Sequence, residues 1–357
     1  MTKKKALIDC ERMKYPYTGL YEYCSQLSKA LLRNKLIDDI DLGFYVPEKD
    51  LDFLGKEQEY VIQRSRHKLI NPHVSKFDLW HGTFQGTMYY PTQKRIKKLL
   101  TIHDLNFLYE NKKTESKQRK YMRQLQEKIN RSDQLTVISN FTLECIQEHL
   151  DLKNIPVQVI YNGCNIDYVK EPLEKPSFIN KGEEFLFTVA TIAAKKNFHV
   201  LPALLPGNNY KLVIAGITQE QKYLDKIIFE AKKHNVLERL IIPGPITQGE
   251  KWWLLTNTKA FLFPSIAEGF GMPAVEAMNF GIPIFLSTQT CMPEIGGEAA
   301  YYFESFDPDD MRKTFKESLA QFTCDPLQSQ KVKERAKMFD WNKTAKAYFK
   351  LYNQLTA

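Results

Sequence analysis

The feature that most restricts the fold is a repeated change of hydrophobic period. Short apolar, β-branched segments at 6–9, 42–46, 77–81, 99–103, 135–139 and 157–161 alternate with helical periodicity at 18–33, 116–131 and 141–150. A second series runs through 185–191, 211–215, 240–242, 260–264 and 282–287, with helical stretches at 219–235 and 273–280. Strands that alternate with helices in this way connect as βα units, and the pattern predicts an α/β class with parallel sheets. The alternation breaks at KEPLEKPSFINKGEE (170–184), where prolines, a glycine and many charges replace apolar periodicity. That segment reads as a linker between two α/β halves, 1–169 and 185–340. A 357-residue chain agrees with two domains at ~100–200 residues each.

Several predicted strands end on a polar or glycine signal: His81-Gly82, His103-Asp104, Ser139-Asn140, Asn162-Gly163, Gly216, Gly244 and Ser265…Glu268. In open α/β sheets ligands bind beyond the carboxyl ends of strands, so two such sheets predict a cleft between the halves. The formal charge of +8 favours anionic partners. Basic residues gather at Lys94, Arg95, Lys97 and Lys98, and again at Lys112, Lys113, Lys117, Arg119, Lys120 and Arg123. They fit either a solvated helix face or a surface for an anionic membrane. No RNA-binding aromatic motif or zinc finger points to nucleic acid. No long apolar run spans a bilayer, and the N-terminal apolar run is too short for a signal peptide, so a cytoplasmic protein is expected. The six cysteines lack a Cys-x-x-Cys pair, and the seven histidines lack metal-site spacing.

The richest chemistry lies in AFLFPSIAEGFGMPAVEAM (260–278), which reads as strand, loop and helix. Pro273 suits the first turn of a helix, where its missing N–H removes no hydrogen bond. Gly269 and Gly271 let a ligand approach the main chain, and the amides at 270–273 suit an anion such as a diphosphate. Glu268 falls on the loop and Glu276 inside the helix, so they are not placed as a close acid–nucleophile pair. They read instead as two grips on one long ligand, since a carboxylate accepts two neighbouring hydroxyls. The plain alternatives are Glu276 as an ordinary first-turn acid, Lys195-Lys196 as a solvated pair, His103 as a loop-binding histidine and Gly19 as a simple helix start.

With FPSIAEGFGMPAVEAMNFGIPIFLS and PEIGGEAAYYF (293–303), the chain resembles the family 4 glycosyltransferases. The likeness extends through LLTIHDLNFL (99–108), LTVISNFT (135–142), VIYNGCNID (159–167), KKNFHVL (195–201), LVIAG (212–216) and the closing DWNKTAKAYFKLY. The resemblance implies a GT-B fold of two Rossmann-like domains, with a C-terminal helix at 341–357 crossing back to the N-terminal, acceptor-side domain. It implies that Glu276 holds the ribose of a nucleotide-sugar donor and that Glu268 holds the transferred sugar. Gly269, Phe270, Gly271 and Met272 would support the sugar and diphosphate through their amides. Lys196, with Lys195 beside it, would neutralise the diphosphate, and Gly19 would meet it from the first loop. His103 would reach the sugar, which makes His103, Lys196 and Glu268 the expected catalytic residues.

The family's second glycine near 19, its glycine near Ala190 and its Glu-Pro-Arg at 193–195 are absent. Lys195 therefore keeps a charge without the guanidinium fork. The function so implied is retaining transfer of a hexose, mannose favoured, to a glycan or lipid-linked glycan during surface polysaccharide or lipopolysaccharide synthesis. No metal and no other cofactor is expected, because Asp39-Ile-Asp41 and Asp307-Pro-Asp309 lie away from the signature. Peripheral contact with the cytoplasmic face of an anionic membrane is a further expectation. An epimerase or phosphorylase of the same fold, or a catalytically silent sugar-nucleotide binder, are the alternatives.

Overall fold

The computed structural model describes residues 3–16, 18–36, 39–70, 74–109, 114–166 and 172–357. The chain divides into one unit of Met1–Gly163 with Phe339–Ala357, and a second of Cys164–Met338. The expected boundary at 169/170 lies outside the described residues, as do Lys112 and Lys113 of the basic run. The rest of the expected linker, 172–184, is bound to the second unit. There Glu174 N–H donates to the Gly249 carbonyl (3.1 Å), Thr247 Oγ1 donates to Glu174 (3.0 Å), and Ile179 is buried. Its composition signals irregular backbone, but hydrogen bonds and one apolar anchor hold it down.

The first unit carries strands β1 (Lys5–Asp9), β2 (Asp41–Val46), β3 (Glu59–Ile62), β4 (Leu79–Gly82), β5 (Lys97–Ile102), β6 (Gln134–Val137) and β7 (Val157–Val159). Its helices α1 (Gly19–Asn34), α2 (Glu115–Ile129) and α3 (Asn140–His149) fall among them. The sheet runs β3-β2-β1-β4-β5-β6-β7, with every pairing parallel. Central strands are buried on both faces, which is why their sequence shows apolar runs rather than alternation. The chain builds outward from β1 to β3, then returns to the other side of β1 at β4. Connections therefore diverge between β1 and β4, leaving a crevice at their carboxyl ends.

The second unit holds β8 (Phe185–Val189), β9 (Lys211–Ala215), β10 (Leu240–Gly244), β11 (Ala260–Phe263), β12 (Ile284–Ser287) and β13 (Tyr301–Phe303). With them come α4 (Gln221–Lys233), α5 (Gln248–Asn257), α6 (Met272–Met278), α7 (Met292–Gly296), α8 (Pro308–Cys324) and α9 (Gln328–Ala336). The parallel order β10-β9-β8-β11-β12-β13 puts the corresponding divergence between β8 and β11. Asp307 caps α8 through the amides of Asp309 and Asp310, so the Asp307-Pro-Asp309 triplet is a helix start. Strands β3 and β13 were not foreseen. Both are short sheet edges: β3 is half-buried throughout and β13 fully buries only Phe303, so neither has the length of buried apolar run that marks a central strand.

After α9 the chain returns to the first unit as α10 (Trp341–Thr356), which packs along α1. The helix sinks Trp341, Tyr348, Phe349 and Tyr352 into that unit's core. Its two buried tyrosine hydroxyls find partners on the sheet and on α1. Tyr348 lies 2.8 Å from Tyr23 Oη and 3.1 Å from Thr101 Oγ1, and Tyr352 lies 2.6 Å from His81 Nδ1. His81, expected to line a ligand site, is instead a core residue. Its other nitrogen meets Thr101 Oγ1 at 2.8 Å, and burial, with His103 nearby, pushes its pKa down to about 3. The segment ending at Gly163 passes the start of α10 so closely that a Cβ there would lie 2.0 Å from the Trp341 nitrogen.

Candidate donor site

Strand β11 is wholly buried, and the chain leaves it through Pro264 and Ser265 at the divergence between β8 and β11. Beyond β8, on the neighbouring side, a short 3-10 turn presents Lys195 and Lys196. The two loops are tied together: Ile266 N–H donates to the Lys195 carbonyl at 2.8 Å. The Ser265 hydroxyl lies 3.0 Å from that same carbonyl and 2.6 Å from Glu268 Oε1. Lys196 Nζ forms an ion pair with Glu268 Oε1, both residues being 9% exposed. The ammonium also sits 5.0 Å from the centre of the Phe263 ring, whose face favours a cation. Glu268 is anchored on its main chain as well, its N–H donating to Thr290 Oγ1 (3.2 Å) and its carbonyl accepting from Cys291 Sγ (3.4 Å).

A buried ion pair is weak evidence for stability, because desolvating two charges offsets most of their attraction. Its position at the strand-order divergence, where open α/β sheets bind ligands, makes it a candidate binding feature. A carboxylate and an ammonium, fixed side by side, can accept hydroxyls and neutralise an oxyanion within one ligand.

The glycine turn follows. Gly271 takes φ +86°, a left-handed conformation that favours glycine, and a Cβ there would come within 2.3 Å of the Met292 methyl. Met272 opens α6 with Pro273 in its first turn. The Phe270 side chain is buried, so at this position it is the main chain that could meet a ligand. Glu276 lies inside α6, and Lys251 of α5 grips both its oxygens, at 2.9 and 3.0 Å. The carboxyls of Glu268 and Glu276 thus each have a separate lysine. Desolvation, and after it the negative charge of Glu276, holds the half-buried Cys164 thiol above its ordinary pKa.

Lys251 and Ser265 were not foreseen. Lys251 had a legible signal: the Thr247–Glu250 capping box marks a helix start, and a lysine beside it opposes the helix dipole. A cation so placed calls for a carboxylate partner. Ser265 carried no signal beyond standing at a strand end.

In the first unit, His103 follows β5 and is 7% exposed. Its Nε2 lies 2.7 Å from the Thr83 carbonyl, which can only accept, so Nε2 carries the proton. Burial lowers the ring's pKa to about 4, leaving it neutral near pH 7 with Nδ1 as an acceptor. Tyr23 of α1 packs edge-on against the ring, with centroids 4.6 Å apart. Gly19 is the first residue of α1, after the Thr18 cap, and a Cβ added there would meet nothing within 4 Å. Packing alone does not require glycine at that position.

Two families match the chain in series. Glycosyltransferase Family 4 covers residues 44–168, and Glycosyl transferases group 1 covers 169–338. The chain is 23% identical to O-antigen chain mannosyltransferase B of Escherichia coli, over 94% of this chain and 96% of that protein. It is 29% identical to the serotype-specific mannosyltransferase WbdA of Escherichia coli over 63% of this chain, a match spanning 29% of that longer protein. Among solved structures, HepE of Anabaena with UDP and glucose superposes with a TM-score of 0.73 at 17% identity, over 98% of this chain and 99% of that one. Two parallel sheets, each opening at a strand-order divergence, and two family domains in series place the chain among the family 4 glycosyltransferases of GT-B fold.

Proposed function

We propose that the protein transfers a hexose, mannose favoured, from a nucleoside-diphosphate sugar to a hydroxyl of a growing surface glycan, with retention and without a metal. The observation that carries this reading is the Lys196–Glu268 pair beside the Gly271 turn at the divergence between β8 and β11. The mannosyltransferase names of the relatives favour mannose. In this reading Glu268 accepts hydroxyls of the sugar, and Lys196 turns towards the diphosphate. The leaving nucleoside diphosphate gains negative charge, and a cation already fixed in place lowers that barrier. The amides of Gly269 to Met272 support the same group, with Lys195 and the Gly19 amide assisting. His103 supplies a neutral acceptor to a sugar hydroxyl. Glu276 takes the ribose diol, and Lys251 holds its carboxylate in one orientation.

The test is product analysis after incubation with GDP-mannose or UDP-glucose and a mannosylated acceptor. Transfer with an unchanged anomeric configuration is expected, with no loss on chelating divalent metals. Glu276→Ala should raise the donor KM about tenfold or more, the scale of a lost charged hydrogen bond, while the fold persists. An epimerised donor, phosphate-dependent release of sugar phosphate, or wild-type kinetics in Glu276→Ala would each defeat the assignment.

We also propose that the acceptor is met at an anionic membrane. Supporting this, α2 presents Lys117, Arg119, Lys120 and Arg123 around a shallow concavity of about 520 Å³, with Tyr121 exposed on the same helix. Among the described residues no helix is long and apolar enough to cross a bilayer. The chain should sediment with phosphatidylglycerol vesicles at low salt and lose that binding at about 0.5 M salt, where screening is nearly complete. Absence of low-salt binding would rule the contact out.

A further inference from the structure

The first unit has its own divergence of connections, between β1 and β4, and two charged side chains stand there without a side-chain hydrogen bond to the described residues, Arg12 drawing Glu11 only through its charge. The loop leaving β1 forms a 3-10 turn over Glu11–Lys14. The Arg12 guanidinium of that turn lies between two aromatic rings, 4.6 Å from the centre of Tyr15 and 4.8 Å from that of Phe84, in the loop after β4. Its Nε is buried without a hydrogen-bond partner, and the guanidinium makes no hydrogen bond or ion pair with the described residues. Glu11 is only 7% exposed, and its carboxylate likewise accepts no hydrogen bond from them.

The neighbouring Asp9 is different. Its oxygens accept from the Glu11 amide (3.1 Å) and the Thr87 hydroxyl (2.9 Å), so it braces the turn. Burial first, and then the charge of Glu11, raises Asp9 to about 7.

A buried guanidinium nitrogen and a buried carboxylate that make no hydrogen bond to the described residues are costly even where their charges partly offset, and their place at a strand-order divergence points to a ligand. Their chemistry defines its class. A guanidinium held by two rings keeps a planar fork that fits two oxygens of an oxyanion. A carboxylate beside it accepts neighbouring hydroxyls. The Tyr15 ring, 43% exposed, adds a flat apolar face. Phe84 also lies 6.4 Å, centre to centre, from the His103 ring, so this place adjoins a residue of the proposed chemistry.

We infer that Glu11 and Arg12 bind a sugar carrying a phosphate, Arg12 taking the phosphate oxygens and Glu11 the sugar hydroxyls. The inference rests on the transferase reading and gives it an acceptor chemistry. The phosphate belongs to a phosphate-linked acceptor or to the diphosphate of the donor.

The full chain separates these by calorimetric titration. The probes are α-mannose 1-phosphate and methyl α-mannoside, each titrated both without nucleotide and with GDP or UDP saturating the donor site, and the two nucleotides alone. Arg12→Gln should weaken mannose 1-phosphate about tenfold or more and leave methyl α-mannoside unchanged, whereas Glu11→Gln should weaken both. Unchanged nucleotide affinity in Arg12→Gln assigns the phosphate to the acceptor, and a parallel loss for GDP or UDP assigns it to the donor. If Arg12→Gln does not fold, Arg12→Lys, which keeps the charge without the fork, should show an intermediate loss. Wild-type binding of both phosphate probes in the arginine variants, or no binding of the sugar phosphate by the wild-type chain, overturns the inference. A chain that binds neither nucleotide removes the transferase reading, while the sugar-phosphate titration still decides Glu11 and Arg12.

Discussion

Lys196→Ala should reduce transfer by about 10²–10³-fold or more in kcat, the scale seen when one preorganised group facing developing negative charge is removed. The same change leaves Glu268 buried without its cation. Breaking a buried pair in this way costs about 3–5 kcal/mol, or a fall of roughly 6–20 °C in melting temperature for a unit of this size. The two effects can be separated. Lys196→Met combined with Glu268→Gln removes both charges and keeps most of the volume, so thermal stability should return while transfer does not. Calorimetry and a transfer assay on the single and double variants read the two quantities. Near-wild-type turnover in the stable double variant would exclude the pair from the chemistry.

Ending the chain after residue 340 should leave the first unit without a folded state. The deletion removes Trp341, Tyr348, Phe349 and Tyr352 from its core. At ~1.5–3 kcal/mol for each large apolar side chain, about 6–12 kcal/mol of burial is lost. That is comparable with the ~5–15 kcal/mol that a whole domain has to spare. The loss also strands polar atoms, since His81 Nδ1 and the Tyr23 hydroxyl lose the partners supplied by α10. Hydrogen exchange should show rapid exchange across β1, β4 and β5 and protected amides in β8, β9 and β11. A truncated chain with native protection in β4 and β5 would refute this.

Much of this architecture can be read from the sequence, because β1, β5, β9 and β11 are buried on both faces and appear as plain apolar runs. The edge strands β3 and β13 cannot, since half-burial over three or four residues leaves no period. The same reasoning divides the candidate site. Glu268, Gly271 and Glu276 lie within one local strand–turn–helix signal. The pairing of Lys196 with Glu268, 72 residues apart, depends on β8 lying next to β11, and strand order is not encoded in periodicity. Arg12 between Tyr15 and Phe84 depends in the same way on β1 lying beside β4. His81 misled because a histidine at a strand end looks the same whether it meets solvent or a returning helix.

That returning helix also sets a schedule for synthesis. Residues up to Gly163 cannot complete their core until Tyr352 has emerged from the ribosome, after the whole of the second unit. At ~5–20 residues per second the wait is roughly 10–40 s. Through that interval the sheet surface that will receive α10 stays uncovered, whereas Cys164–Met338 can close as soon as it is made. The unit translated first is therefore the last to finish, and it is the half of the nascent chain with most need of a chaperone.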